Sequence, residues 1–126
     1  MKTLIFSLIT TCLLMSCQNN NSKTDTSVIG DWDAHLRHNG KPYVLKAHFG
    51  ADNNYEGFTD GKLFVTGKYT INGDVMIISD SLCNEHYEGK YKIAFFAKDS
   101  LRFSVIEDTC KMRNQGINGL AVKRLQ

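Results

Sequence analysis

From Gly30 to the C-terminus, apolar and polar residues alternate with period 2 in one segment after another. Trp32, Ala34 and Leu36 alternate with Asp31, Asp33, His35 and Arg37, and Tyr43, Leu45, Ala47 and Phe49 with Val44, Lys46 and His48. The same rhythm carries Leu63, Val65, Gly67, Tyr69 and Ile71, then Tyr87, Gly89, Tyr91, Ile93 and Phe95, then Leu101, Phe103 and Val105. One apolar face and one wet face is the signature of antiparallel sheet. The pattern predicts strands over 28–37, 42–49, 53–58, 62–71, 75–80, 86–96, 100–107 and 119–125, with 108–118 a loop holding about one helical turn. Eight sequential antiparallel strands close most naturally into an up-and-down barrel, because closure removes the edges. A Greek-key sandwich is the alternative.

The turns supply a register. Asn39-Gly40 and Asn72-Gly73 are two-residue hairpin signals, since both residues tolerate positive φ. Centring on Asn39-Gly40 pairs Leu36 with Tyr43, Ala34 with Leu45 and Trp32 with Ala47 on the apolar face. It pairs Asp33 with Lys46 and Asp31 with His48 on the wet face, whereas a slip of one residue would scramble every pair. Centring on Asn72-Gly73 pairs Tyr69 with Met76 and Gly67 with Ile78, with Val75 and Ile77 outward. A turn about Lys98 pairs Phe95 with Leu101, Ile93 with Phe103 and Tyr91 with Val105, and its extension sets Cys110 opposite His86. Gly67-Lys68-Tyr69-Thr70-Ile71 and Gly89-Lys90-Tyr91-Lys92-Ile93 form a faint repeat whose glycines fall on the apolar face, leaving space beside a neighbour.

The N-terminus reads differently. After Met1-Lys2, residues 3–16 are uncharged and largely apolar, too short for a membrane-spanning helix but right for a signal-peptide core. Leu14-Met15-Ser16-Cys17 resembles the bacterial lipobox. That resemblance implies a signal peptide over 1–16, cleavage before Cys17, and acylation of Cys17, where several acyl chains hold a protein stably to a bilayer. Residues 18–27 contain no apolar side chain, so 17–27 reads as a lipidated flexible tether and 28–126 as the folded domain. The expected location is the bacterial cell envelope, at the outer membrane. Cys12 leaves with the signal and Cys17 takes the lipid, so Cys83 and Cys110 remain; in an oxidising periplasm two thiols are most simply a disulfide. On the chain-entropy model such a loop closure contributes roughly 3–4 kcal/mol.

Gly30-Asp31-Trp32 opening the first strand looks like the Gly-x-Trp of lipocalins, and Asp108-Thr109-Cys110-Lys111-Met112-Arg113 supplies a D-x-C-x-x-R stretch. Together with the Gly-x-Tyr strands and Cys83, the domain resembles small lipocalin-like (calycin-type) envelope lipoproteins. The resemblance implies that Trp32 closes one end of the barrel with a basic residue packed on its ring: Arg113 by motif, Arg124 by position in the last strand. The chain is much shorter than full-length lipocalins, which bears on how large a ligand cup it can hold.

Composition narrows the function. Lys+Arg 15 against Asp+Glu 13, a net charge of +2, excludes a nucleic-acid binder working through a basic face. No nucleophile elbow, zinc-protease, phosphate-loop or dinucleotide motif is present, and no cofactor or metal is implied. His35, His38, His48 and His86 fall on wet faces, at a turn or beside the cysteines, so the reading is not that of an enzyme. The apolar face carries aromatics and no charge: Trp32, Tyr43, Phe49, Tyr69, Tyr87, Tyr91, Phe95 and Phe103. Such a set either lines a polar-dotted pocket for a small apolar or amphipathic ligand or simply fills a narrow barrel. A filled barrel would suit a protein-interaction or inhibitory module, for which outward Phe64, Val75 and Ile77 are candidate contacts.

Overall fold

The computed structural model describes residues 26–126; the expected signal peptide, Cys17 and most of the expected tether lie outside the described residues. The eight strands form a single closed antiparallel barrel in sequence order, β1 Gly30–His38, β2 Lys41–Phe49, β3 Asn54–Thr59, β4 Lys62–Asn72, β5 Val75–Asp80, β6 Gly89–Phe96, β7 Ser100–Glu107 and β8 Ala121–Arg124, with β8 pairing back onto β1. A short helix, α1 (Lys111–Ile117), lies between β7 and β8 and spans about two turns, longer than the sequence pattern predicts.

The first hairpin has the register expected of it, from Trp32 opposite Ala47 to Leu36 opposite Tyr43. Asn39 and Gly40 both take positive φ, +50° and +76°, as their two-residue turn requires. The second differs. Tyr69 faces Ile78, Ile71 faces Met76 and Gly67 faces Asp80, two residues from the expected pairing. The reason is the turn: the loop is Gly73-Asp74, and of these only Gly73 has positive φ, so glycine occupies the first central position of a type II′-like turn. The shift of two preserves the faces but sets Asp80, rather than Ile78, against Gly67 on the interior side. In the third hairpin the pairs Phe95–Leu101, Ile93–Phe103 and Tyr91–Val105 hold, but a bulge at Lys90/Tyr91 moves the ladder by one. Residues 86–88 therefore leave the strand, and His86 does not pair with Cys110. The disulfide nevertheless joins Cys83 to Cys110, 27 residues apart, with a Cα–Cα distance of 5.9 Å.

Antiparallel connections alternate between two ends. One end collects the turns 50–53, 73–74 and 97–99 together with the start of β1 and the finish of β8. Here the interior is filled. Phe49 packs edge-on against Tyr69 at 5.0 Å and stacks with Tyr55 at 5.8 Å, and Trp32 lies 6.4 Å from Phe95. Met76, Tyr91 and Leu101 are fully buried. The other end collects the turns at Asn39-Gly40 and Asp60-Gly61, the 81–88 connection and α1. Leu82, Ile117 and Leu120 are partly buried against the core there.

Candidate functional site

At the filled end, Trp32 is completely buried and its indole Nε1–H donates to the Val28 carbonyl at 2.7 Å. Val28 comes within reach because the chain reverses at Gly30, whose φ of +125° is a conformation open to glycine. Arg124, paired across from Trp32 in the ladder, places Cζ 4.2 Å from the ring centroid and donates through Nη1 to the Ile29 carbonyl at 3.0 Å and through Nη2 to that of Ser27. Of the two basic residues considered for this role, Arg124 is the one on the ring. Arg113 is not there: α1 begins just after the disulfide and carries it to the opposite end, away from Trp32.

Arg113 is instead the centre of a buried polar cluster. Its Nε–H donates to Asp108 Oδ2 at 2.7 Å and its Nη2–H groups to Asp108 Oδ1 at 2.9 Å and the Tyr87 carbonyl at 2.8 Å. Nη1 lies 3.3 Å from Asp80 Oδ1. The Tyr55 hydroxyl donates to Asp80 Oδ2, and the Tyr91 hydroxyl to Asp108 Oδ2. Asp80 also accepts from the Leu82 N–H at 3.0 Å, and Asp108 from that of Cys110 at 2.9 Å. The side chains of Arg113, Asp80 and Asp108 are all fully buried, so the barrel interior does carry charge, contrary to the sequence expectation. Burial, then the partnered carboxylate, pushes both Tyr55 and Tyr91 well above the ordinary phenol range. Burial works to raise the Asp108 pKa, but hydrogen bonds from Arg113 and Tyr91 outweigh it and hold the carboxyl below its ordinary value.

The two glycines of the faint repeat now have a common cause. A Cβ on Gly67 would lie 2.3 Å from the Ser79 carbonyl oxygen, 2.6 Å from Asp80 Cβ and 2.8 Å from the Tyr55 ring. A Cβ on Gly89 would lie 2.7 Å from Asp108 Cγ and 3.0 Å from the Tyr91 ring. Each glycine makes room for one Tyr–Asp pair.

Beside this cluster, toward the α1 end, is a cavity of about 320 Å³. Its wall is mainly apolar and includes Leu36, Leu45, Val65, Ile78, Leu82 and Ile117, with Tyr55 and Arg113 contributing polar surface. Of the aromatics expected to line a pocket, Tyr43, Phe49 and Phe103 do so. Tyr69, Tyr91 and Phe95 belong to the filled part, where the Tyr69 hydroxyl donates to the Gly50 carbonyl at 2.6 Å. Tyr87 is 54% exposed, because the strand starts only at Gly89 and the alternation does not extend to it.

Phe64 also lines the cavity. A bulge between β3 and β4 pairs Gly57 with Val65 and Phe58 with Leu63, leaving Phe64 without a partner; it is exposed, as expected, and its ring also reaches toward Gly57. Val75 and Ile77 are only partly exposed and pair near the far end of the β4–β5 ladder, so the three do not make one patch. Sequence reasoning missed the contribution of α1, whose Met112, Arg113, Gly116 and Ile117 all face the cavity. Their spacing is that of one helical face, a signal too short to stand out beside the strand pattern.

Among the described residues, no group of three or more His, Cys, Asp or Glu is arranged to hold a metal ion. His48 Nδ1 is instead 2.6 Å from Asp31, holding that carboxyl below its ordinary pKa, and Lys46 lies 3.5 Å from the same residue. Comparison with protein-family models, with curated proteins and with solved structures finds no match, so the functional reading rests on this geometry.

Proposed function

We propose that the protein is a lipocalin-like envelope lipoprotein, anchored to the outer membrane through lipid on Cys17, that binds a small apolar or amphipathic molecule in its barrel. The observation that carries the reading is the cavity of about 320 Å³, at the lower end of the ~300–1,000 Å³ range of small-molecule sites, with apolar walls and a few convergent polar groups. A barrel completely filled by its own side chains would have no such space. The lipocalin resemblance of Gly30, Trp32 and the D-x-C-x-x-R stretch points the same way, as does a closed β-scaffold that holds the cavity walls rigidly.

Displacement of a neutral fluorescent probe such as Nile red by medium-chain compounds tests the binding. Saturable displacement that is lost in Leu45→Trp, which fills the cavity from β2, is expected; absence of any displacement would overturn the reading. Intact-mass analysis of membrane-extracted protein tests the anchor, which requires a mature chain starting at an acylated Cys17.

A further inference from the structure

The mouth of the cavity carries large apolar side chains that the barrel leaves in solvent. Phe64, at the start of β4, and Met112, on α1, both border the cavity, yet they are 45% and 64% exposed. Leu63, beside Phe64, is exposed as well. The half-buried Leu36 and Tyr43 bring the β1–β2 hairpin into the same rim. Exposed apolar residues gathered around an opening mark a surface that a partner or a membrane covers.

Charge decides between the two. Each apolar position has a basic neighbour in the chain: Lys62 precedes Leu63, Lys111 precedes Met112, and Arg37 and Lys41 flank the turn between Leu36 and Tyr43. All four basic residues are exposed. The one carboxylate on the β1–β2 and β3–β4 turns, Asp60, accepts from the Val44 N–H at 2.9 Å. Glu85 and Glu88 belong to the β5–β6 connection, across the barrel from the first hairpin, and Glu107 faces Lys90 in the ladder. Apolar side chains interleaved with basic ones suit an anionic lipid surface, where the first enter the acyl boundary and the second meet the headgroups. A fluid surface also conforms to a rim with an opening in it, whereas a folded partner would have to plug the opening.

Chain length permits this orientation. Residues 26–29 lie at the filled end, where the Ser27 and Ile29 carbonyls accept from Arg124. Cys17 precedes Thr26 by nine positions, and a chain of that length reaches about 30 Å at full extension. The nine residues of β1 run about 30 Å along the strand and, at the usual barrel tilt of ~35–45°, about 23 Å along the barrel axis. An acyl anchor on Cys17 and the mouth at the opposite end can therefore meet one bilayer.

We propose that the rim carrying Phe64 and Met112 among Lys41, Lys62 and Lys111 seats on an anionic phospholipid surface, so that the cavity opens to the bilayer and exchanges its ligand there. The proposal rests on the anchor and cavity readings above and adds the orientation of the barrel and the source of the ligand.

The test places the lipidated protein in phosphatidylcholine vesicles with about 30% phosphatidylglycerol, whose brominated acyl chains quench tryptophan on contact. Trp32, sealed in the filled end, reports the background, and wild-type emission is expected to stay unchanged. Phe64→Trp and Met112→Trp, both at exposed positions, are each expected to lose at least half of the emission they add. Lys41→Glu, Lys62→Glu and Lys111→Glu together, in the Phe64→Trp chain, are expected to reduce that quenching at least twofold, as is omission of phosphatidylglycerol. Absence of quenching in both tryptophan variants would overturn the proposal, and so would quenching that the charge reversals leave untouched. Intact mass of the same sample reads the anchor separately: an unacylated Cys17 would overturn the anchor, while quenching of the unacylated chain on the same vesicles still decides the docking.

Discussion

The two ends of the barrel each use one arginine, in opposite ways. Arg124 lies over the flat face of Trp32 and donates to two backbone carbonyls. Arg113 is fully buried and held by Asp108 and Asp80, which are themselves held by Tyr91 and Tyr55. Covering an apolar plug with a half-buried cation needs little compensation, because the guanidinium keeps contact with solvent. Placing a full charge inside needs a complete set of partners, and here the set also fixes the polar wall of a cavity. The end whose arginine is partly exposed is filled, and the end whose arginine is fully buried is the one with space.

The comparison breaks most sharply at Arg113. Arg113→Met leaves two buried carboxylates without their cation, and loss of one member of a buried pair costs about 3–5 kcal/mol. Urea denaturation is expected to show this as a lower midpoint, far below that of Arg124→Gln at the Trp32 end. Acid attacks the same cluster. Asp108 has a folded pKa below its unfolded value of about 3.9, so its contribution is fully present above that pH and is lost as the pH falls through the lower folded pKa. Stability should therefore decline between about pH 5 and pH 2, and decline less steeply in Arg113→Met, where the cause of the depression is gone.

Why the filled end was legible in the sequence and the cavity end was not follows from how each is specified. Trp32 and Ala34 alternate with polar residues, and Asn39-Gly40 pins their register, so local pattern alone places them. The Arg113 cluster joins Tyr55, Asp80, Tyr91 and Asp108 from four separate segments, and no local period connects them. Asp80 shares the inward face of Met76 and Ile78 in either register, but it faces Gly67 only because a type II′-like turn at Gly73 sets its ladder two residues from the pairing centred on Asn72-Gly73. The repeated Gly-Lys-Tyr-x-Ile was visible, but its meaning depended on knowing that an aspartate and a tyrosine crowd the space each glycine leaves. Phe64 is exposed as the alternation says, but its place beside the cavity was not legible, because it depends on a bulge that breaks the alternation.

The disulfide sharpens the comparison because it holds only one end. It ties the β5–β6 connection to the residue before α1, two positions after Asp108. Cys83→Ser and Cys110→Ser are each expected to lower stability by about 2–5 kcal/mol, with the double substitution no worse than either. Thermal melts check this, and reduction of the wild type should reproduce it. The same change should weaken ligand binding, since α1 carries part of the cavity wall. Smaller effects are expected at the spacer glycines. Gly67→Ala pushes a methyl into Asp80 and Tyr55 and should cost roughly 1–3 kcal/mol by overpacking. If it is neutral in a chemical melt, the view that this glycine reserves space for the Tyr55–Asp80 pair fails.

The smallest change belongs to the filled end. Arg124→Gln removes the cation from the Trp32 face and two donors from the Ser27 and Ile29 carbonyls. A cation over an aromatic ring contributes about 0.5–2 kcal/mol, and carbonyls this close to the surface regain water when the guanidinium is gone. Trp32 itself stays fixed by its own hydrogen bond to Val28 and by its neighbours inside the barrel. A loss near 1 kcal/mol is therefore expected, with no change in ligand affinity, because neither Trp32 nor Arg124 borders the cavity. Tryptophan fluorescence gives a second reading, since Trp32 is the single tryptophan of the chain and exposure of its ring moves the emission to the red. An Arg124→Gln variant that lost as much stability as Arg113→Met, or that released ligand, would show that the two ends are mechanically coupled rather than independent closures of one barrel.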